Sequence, residues 1–522
     1  MSRVAIVGSG MMGSNLALDL ARLGHDVTVF EKGPEYPYPH LPVFLAETKY
    51  HYDDPRWGIG HDLRRYAMTG QYARDLSDEA VMHVGGAGTR WTGLTMRMRP
   101  HDLHTRTAFG YGEDWPLEYA ELEPWYCEAE ARMGVSGTDD DNPWAPPRSK
   151  PYPLPPFELT WDDRRLAGKL ERGGIHIHTT PQARASRDYD GRPACQNFDA
   201  CDVCPIGARY SPTVHLQRAV ATGHCTLHCG VSVRRIVTDA SGRARGLVAR
   251  ANGESHDVEH DADLVVVAAA SFESARLLLL SRDARHPDGL GNHAGHVGKH
   301  LVFHHIWSGH MHYREKLWPG RLGPWTGQSE QFCNPPGRGR YGGLKIEFPS
   351  SPSPEHMDVA AGASSLEESM AAFEVSRRCR RVAMHAESVP GEGKFVRLGA
   401  GEDRFGDPRL EIHYDLDDFD HRTYEYSADV FKRFAAASEA EFSQYREFVD
   451  FGTFAHFMGT CRMSAKPADG VVDPYGQVHG VPGLYVVGLS NFVGSGGALN
   501  PTLTGLALSL RSVGRMHEEL RG

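Results

Sequence analysis

A glycine motif near the N-terminus has the spacing of a site that binds the phosphates of a dinucleotide. The motif is Gly8-Ser9-Gly10-Met11-Met12-Gly13, and an acidic residue, Glu31, follows it further along the chain. In such a motif the first glycine makes a tight turn, the second lets a pyrophosphate approach, and the third lets a helix pack on a strand. A carboxylate at Glu31 accepts hydrogen bonds from ribose hydroxyls and disfavours a 2′-phosphate. NADP is therefore disfavoured, and NAD and FAD both remain open.

The motif lies between elements that can position it. Arg3 to Gly8 is a short apolar strand of the kind that is buried in parallel sheets, and a helical repeat of leucines then runs to Gly24. A second strand is predicted from Asp26 to Phe30. Strand, glycine turn, helix, strand and acid in this order predict a βαβ unit whose helix N-terminus faces the phosphates.

A second glycine cluster occupies residues 84–93. Its sequence is Val84-Gly85-Gly86-Ala87-Gly88-Thr89-Arg90-Trp91-Thr92-Gly93. Closely spaced glycines let a backbone lie flat against a large planar or phosphorylated ligand. The alternative is a flexible surface loop, but Trp91 and Thr92 are not typical of loop tips.

Two polar residues near the C-terminus are candidates for proton transfer. His456 lies among Phe454, Phe457 and Met458, and Asn500 precedes a predicted apolar helix from about Pro501 to Arg515. An imidazole titrates at about pH 6.5 and can accept a proton at neutral pH. His456 could instead be a core histidine. Asn500 also fits the N-cap of the following helix, with Pro501 at the first helical position, and this is compatible with catalysis.

These motifs, in this order, resemble the glucose–methanol–choline (GMC) flavin oxidoreductases. The strand-like apolar segment Leu264 to Ser271 and the segment Asn500-Pro501-Thr502-Leu503-Thr504 fit the same family. The resemblance implies an α/β fold in which a Rossmann-like FAD-binding domain is interleaved with an α+β substrate domain built on an antiparallel sheet. It implies FAD as the cofactor and the oxidation of an alcohol as the reaction. His456 would be the catalytic base, and Asn500 would hold the same hydroxyl.

The resemblance also assigns residues to the cofactor. The backbone N–H of Thr502 would face the part of the flavin that becomes negative on reduction, Gly488 and Leu489 the ribityl chain, and Val233 the adenine. The predicted FAD-binding residues are Gly8, Gly10, Met11, Met12, Gly13, Glu31, Gly85, Gly86, Gly88, Thr89, Arg90, Trp91, Thr92, Val233, Ala269, Gly488, Leu489, Pro501 and Thr502.

Within the family, the segment Gly88 to Thr92 resembles the flavin-contacting segment of the pyranose oxidases. Thr92 matches a threonine that contacts flavin N5 and the C4 oxygen in those enzymes. Arg90 stands where the fungal enzymes carry a histidine that is bonded covalently to the flavin, so we predict non-covalent FAD. A bacterial subgroup of sugar and glycoside 3-oxidases is also similar.

The implied reaction is the oxidation of a secondary ring hydroxyl, at C3 or C2, of a pyranose sugar or glycoside, with O2 reduced to hydrogen peroxide. Two alternatives remain open. One is a dehydrogenase of the same fold that passes electrons to a quinone, a cytochrome or another acceptor. The other is a non-catalytic flavin-binding protein, against which the presence of both His456 and Asn500 argues.

Cysteines and histidines offer a metal site only in outline. The spacing of Cys195, Cys201 and Cys204 resembles part of the cysteine-rich stretch of iron–sulfur dehydrogenases, but the adjacent cysteine pair of those enzymes is missing. We therefore predict no metal.

His304 and its histidine neighbours are predicted to be polar surface or strand residues. Lys345 and Glu347 would share one face of a strand, with solvent preferred over substrate as their surroundings.

Composition and charge exclude other classes of function. The 522 residues carry a net charge of −11, which gives no electrostatic case for binding nucleic acid or an anionic membrane surface. Nine cysteines and no visible signal peptide predict a cytoplasmic protein. The expected partners are a sugar or glycoside and an electron acceptor, and the sequence leaves the oligomeric state open.

The predicted organisation alternates two domains along the chain. FAD-binding parts are expected at 1–100, 211–305 and 441–522, and substrate-domain parts at 101–210 and 306–440. The second substrate part is expected to form an antiparallel sheet over the flavin. A segment rich in Ser, Pro, Ala and Gly, Ser350 to Ser365, is a candidate lid or a plain surface loop.

Overall fold

The computed structural model describes residues 1–49, 66–71, 81–197, 203–317, 325–349, 362–403, 406–447 and 453–522. Most of the predicted lid, residues 350–361, lies outside these ranges, as does Cys201. The lid and a cluster that includes Cys201 therefore stay predictions.

A parallel sheet carries the N-terminal glycine motif, with the strand order β18-β9-β1-β2-β5. Its strands are β1 (Arg3–Val7), β2 (Asp26–Glu31), β5 (Cys225–Cys229), β9 (Leu264–Val267) and β18 (Leu484–Val486). The apolar residues of β9 are fully buried, as expected of a strand inside a parallel sheet. Helix α1 (Met11–Arg22) joins β1 to β2, which pair in parallel, so the predicted βαβ unit is confirmed.

An antiparallel sheet, seven-stranded within the described ranges, carries the catalytic histidine candidate. Its order is β16-β10-β13-β12-β11-β4, and β17 also pairs with β10. The strands are β4 (His178–Thr179), β10 (Val302–His312), β11 (Gly327–Ser329), β12 (Leu344–Glu347), β13 (Cys379–Ala386), β16 (Phe442–Tyr445) and β17 (Thr453–Met458). The predicted fold class, α/β with an antiparallel sheet, is confirmed. The domain boundaries stay a prediction.

Two smaller sheets contain the other strands of the described residues. One has the order β14-β15-β3 and the other β6-β7-β8. These strands are β3 (Tyr66–Thr69), β6 (Val231–Thr238), β7 (Ala244–Ala251), β8 (Val258–Asp261), β14 (Lys394–Glu402) and β15 (Pro408–Tyr414).

The other helices of the described residues pack around these sheets. They are α2 (Leu41–Lys49), α3 (Thr105–Phe109), α4 (Tyr119–Met133), α5 (Trp161–Arg172), α6 (Thr213–Ala221), α7 (Ala270–Leu280), α8 (Leu366–Ser376), α9 (Asp418–Ala437) and α10 (Thr502–Arg521). Short 3-10 helices span Gly86–Thr89, Pro100–Leu103 and Leu489–Asn491. Among the described residues, no helix is both long enough and apolar enough to cross a membrane.

Two elements differ at their ends from the sequence prediction. Helix α10 runs to Arg521 rather than Arg515, and Pro501 rather than Asn500 is its N-cap. The side chain of Asn500 makes other hydrogen bonds, described below, so the N-cap interpretation was wrong. The apolar segment that begins at Leu264 leaves the strand after Val267, and helix α7 begins at Ala270.

Candidate active site

The start of helix α1 is shaped to accept an anionic group. A Cβ on Gly13 would lie 2.0 Å from the carbonyl oxygen of Gly8, so only glycine lets the helix pack this closely on the preceding turn. A Cβ on Gly10 would meet nothing within 4 Å, so open space lies in front of the helix. No side chain caps the helix at Gly10, which leaves its first N–H groups for a ligand.

The second glycine cluster packs directly on this turn. The N–H of Gly85 donates to Ser9 Oγ at 3.2 Å, and a Cβ on Gly86 would lie 3.4 Å from Gly10 Cα. A Cβ on Gly88 would lie 3.2 Å from the terminal carbon of Met11. The two glycine motifs, distant in sequence, therefore form one cradle.

Residues from later in the chain also contact this cradle. A Cβ on Gly488 would lie 3.3 Å from Met12 Cγ, and one on Gly505 of helix α10 would meet both Met12 and Leu489. Ala269 lies beside the first glycine, since a Cβ on Gly8 would be 3.4 Å from Ala269 Cα. These contacts bring together predicted cofactor residues from four separate segments.

Glu31 ends strand β2 inside the cradle. Its carboxylate accepts hydrogen bonds from the N–H of Ser9 at 3.1 Å, from Ser9 Oγ at 2.7 Å and from the N–H of Gly33 at 3.0 Å. Burial raises the pKa of Glu31, and these hydrogen bonds oppose the rise. A carboxylate has about four acceptor positions, so one is left for a ribose hydroxyl. The cradle and this acid together fit a dinucleotide such as FAD.

The other predicted cofactor residues lie on neighbouring segments. Thr89 is buried and donates to the carbonyl of Gly86 at 2.8 Å, and Trp91 Nε1 donates to the carbonyl of Tyr210 at 2.9 Å. Arg90 and Thr92 are half-buried beside them. Val233 lies on β6, and Thr502 begins helix α10 directly after Pro501.

His456 and Asn500 come together although they are 44 residues apart. The distance between His456 Nε2 and Asn500 Nδ2 is 3.2 Å. Asn500 is buried, and the His456 ring is half-buried. The pair therefore has the geometry predicted for a base and a hydroxyl-binding amide.

A β-bulge interrupts strand β17 at His456. Strand β10 pairs Val302 with Met458 and His304 with Ala455, so two residues of β17 lie opposite one residue of β10. His456 is the first of these two and has a left-handed backbone, with φ of 70°. The rings of His456 and His304 meet at a centroid distance of 5.0 Å.

His304 determines which nitrogen of His456 can accept a proton. His304 Nε2 is 3.0 Å from the carbonyl oxygens of Ser495 and Gly497, and carbonyls only accept, so this nitrogen carries the proton. The other nitrogen of a neutral His304, Nδ1, is then an acceptor for His456 Nδ1 at 2.9 Å. His456 Nδ1 therefore carries a proton, and its Nε2 presents a lone pair toward Asn500.

Both rings are held neutral. Burial lowers the pKa of His304 to about 3, with the His385 ring adding to this effect. Burial, followed by His304, His385 and Lys345, lowers the pKa of His456 well below its usual value. Of the two alternatives predicted for His304, polar surface or strand residue, the strand is confirmed, and the residue is buried in the interior.

A buried charged group lies behind Asn500. Lys345 Nζ donates to Asn500 Oδ1 and to Glu347 Oε1, and Glu347 Oε2 is 3.0 Å from His385 Nε2. Lys345 is 0% and Glu347 3% exposed, so the predicted solvated face was wrong. Their alternation on one face of β12 was predicted correctly, but period-2 spacing alone cannot tell solvent from interior.

The histidines here could also hold a metal. Nitrogen atoms of His304, His385 and His456 lie within 4.8 Å of one another. The hydrogen bonds above already engage His304 through both nitrogens and His456 through both nitrogens. Cys195 and Cys204 are free thiols. The absence of a resident metal stays a prediction.

Comparisons with known proteins identify the family. Models of the GMC oxidoreductase family match residues 169–306 and 392–509, and a model of FAD dependent oxidoreductases matches residues 3–39. The 2-methyl-1,2-propanediol dehydrogenase of Mycolicibacterium austroafricanum is 30% identical over 98% of this chain and 94% of the relative. The chain belongs to the GMC oxidoreductase family.

Other GMC relatives extend over nearly the whole chain. The fructose dehydrogenase large subunit of Gluconobacter japonicus is 28% identical, over 99% of this chain and 98% of the relative. Paromamine 6′-oxidase of Streptomyces fradiae is 29% identical, over 98% and 90%. The crystal structure of pyridoxine 4-oxidase from Mesorbium loti, at 18% identity, covers 99% of both chains with a TM-score of 0.66, which shows the shared fold. The GMC protein is an FAD-dependent oxidoreductase.

Proposed function

We propose that this chain oxidises a secondary ring hydroxyl, at C3 or C2, of a pyranose sugar or glycoside to the ketone, with O2 as the electron acceptor and hydrogen peroxide as the second product. The observation that carries the chemistry is the distance of 3.2 Å between His456 Nε2, which presents a lone pair, and Asn500 Nδ2. Sugar chemistry is supported by two relatives whose names specify fructose and paromamine. The acceptor is supported by the resemblance of residues 88–92 to pyranose oxidases.

His456 is the base in this proposal. Its Nε2 takes the proton of the substrate hydroxyl, and Asn500 Nδ2 donates a hydrogen bond to the same oxygen. His304 keeps Nε2 of His456 as the accepting nitrogen throughout, because the proton on His304 Nε2 is held by two backbone carbonyls. When bound, FAD supplies the acceptor for the hydride that leaves the carbinol carbon. Loss of one proton and one hydride converts the alcohol to the ketone.

A substrate screen tests this function. The flavin-loaded enzyme is incubated with monosaccharides and with aryl O- and C-glycosides, and peroxide formation is measured against dye reduction on the same substrates. We expect peroxide in proportion to a keto-sugar, whose carbonyl is located by NMR. Dye reduction without peroxide would instead assign the chain to the dehydrogenases. Intact flavin with no oxidation of any alcohol would leave a non-catalytic flavin-binding protein.

Non-covalent attachment of FAD is a separate prediction. Arg90 follows the 3-10 helix Gly86–Thr89 and offers a guanidinium, which cannot form the covalent bond that a histidine forms at this place. Acid precipitation of the purified protein should therefore release all the yellow colour into the supernatant. The variant Arg90→Lys is the control, since it should release as much flavin as the parent protein. Flavin that stays in the washed pellet would contradict the prediction.

A further inference from the structure

The ammonium group of Lys345 is buried and faces the catalytic amide. Its Nζ donates to Asn500 Oδ1 and to Glu347 Oε1, and the side chain is 0% exposed. Lys345 and Glu347 are two positions apart on β12 and so share one face of the sheet. The register pairs Lys345 with His385 on β13, which places that ring beside them.

Glu347 stays ionised in this group. His385 Nε2 lies 3.0 Å from Glu347 Oε2 and donates to it. Although burial alone would raise the pKa of Glu347, its contacts with His385 and Lys345 lower it to about 2. Burying an ion pair is costly, and well-packed apolar side chains of similar volume would often be as stable. An ion pair aimed at the catalytic amide therefore points to a role beyond stability.

The contact with Lys345 fixes the orientation of Asn500. The oxygen and nitrogen of an amide exchange places when the group rotates by half a turn, and only one orientation serves catalysis. Because the ammonium can only donate, Oδ1 must face Lys345, and Nδ2 is left facing His456. A charge on one side of an amide also strengthens the hydrogen bond that its N–H donates on the other side.

We propose that Lys345 is a positioning residue that locks the rotamer of Asn500 and polarises its amide, so that Nδ2 binds the substrate oxygen more strongly as the proton leaves. The oxygen gains negative charge at that moment, and a donor aimed at it stabilises the transition state more than the ground state. The role depends on the proposed oxidation at His456 and Asn500, because Lys345 acts only through Asn500.

The variant Lys345→Met tests this role in the flavin-loaded enzyme. It removes the charge and the donor and leaves a chain of similar length. We expect the rate of flavin bleaching by saturating substrate, measured anaerobically by rapid mixing, to fall about 10- to 100-fold with little change in half-saturation, since the interaction strengthens in the transition state. Lys345→Gln, which keeps an N–H donor without the charge, should fall in between.

Lys394 gives a matched control. It is also a buried lysine, 1% exposed, and it pairs with Asp417 and Asp420 at 2.8 Å. Lys394→Met therefore removes a comparable ion pair on a different strand, and we expect it to lower the melting temperature while the bleaching rate of the folded fraction stays within about twofold.

A double variant separates this role from a structural one. In an Asn500→Ala background, Lys345→Met should cause no further loss of the bleaching rate, because the residue through which it acts is gone. A full additional loss would overturn the proposal, as would a Lys345→Met or Lys345→Gln enzyme with an intact flavin spectrum and an unchanged rate. If the methionine variant fails to bind flavin, the glutamine variant decides. Failure of the function itself would show differently, as an unchanged rate in His456→Gln.

Discussion

The variant His456→Gln should reduce bound flavin about 10²- to 10⁴-fold more slowly than the parent enzyme, which is the usual contribution of a positioned general base. Glutamine occupies a similar volume but cannot take up a proton at neutral pH. The lone pair of His456 Nε2, held in place by the bond from His456 Nδ1 to His304, is what the variant loses. The measurement is the rate of anaerobic flavin bleaching by the substrate that the screen identifies.

The flavin content of the variant serves as the internal control, because His456 lies outside the glycine cradle. His296, whose ring contacts the carbonyl of Ala468 at 2.9 Å and His300, gives a second control. His296→Gln should keep the parental rate. An unchanged bleaching rate in His456→Gln would remove the base assignment and, with it, the proposed function.

The variant Gly10→Ala should lose FAD and keep the stability of the apoprotein. A Cβ at this position meets no protein atom within 4 Å, and the backbone has an ordinary negative φ of −69°, so the fold tolerates alanine. The same Cβ occupies the open space in front of helix α1, where the pyrophosphate must approach the backbone. We expect flavin affinity to fall about 100-fold or more, which corresponds to about 2.7 kcal/mol. Flavin retained on a desalting column and the melting temperature of the apoprotein are the two measurements.

Two other glycines separate the possible causes. Gly13→Ala places a Cβ 2.0 Å from a backbone oxygen and should lower both stability and flavin content. Gly514 lies in helix α10 with nothing near its added Cβ, so Gly514→Ala should change neither flavin content nor, by more than about 1 kcal/mol, stability. A Gly10→Ala protein that stays fully yellow would show that the nucleotide is not bound in the cradle.

The parts of the molecule that could be predicted from the sequence are those encoded over short distances. The glycine motif, the helix behind it and Glu31 lie in one continuous segment, where each residue type is required by local geometry. The proposed catalytic pair could be predicted because its two short motifs resemble those of a family. No rule of local periodicity would have joined His456 to Asn500, because their contact depends on how two sheets and a helix pack.

The residues that sequence reasoning misplaced belong to long-range contacts. His304 and His456 are 152 positions apart, and Lys345 and Asn500 are 155 apart. A polar strand residue is more often exposed than buried, which is why solvent is the predicted surroundings of Lys345. The bulge at His456 was also hidden, since a left-handed histidine carries no sequence signal. A weak signal did exist, since the charged residues Lys345 and Glu347 alternate with apolar residues along one strand.

The proton on His304 is held by peptide carbonyls rather than by an acidic side chain. Substitution at positions 495 and 497 changes the side chains there but keeps the two backbone carbonyl oxygens that accept from His304. They also do not titrate in the range where proteins fold, unlike a carboxylate partner. The choice of which nitrogen carries the proton in His304, and through it in His456, therefore depends on backbone atoms. Substitution of neighbouring side chains during evolution does not remove them.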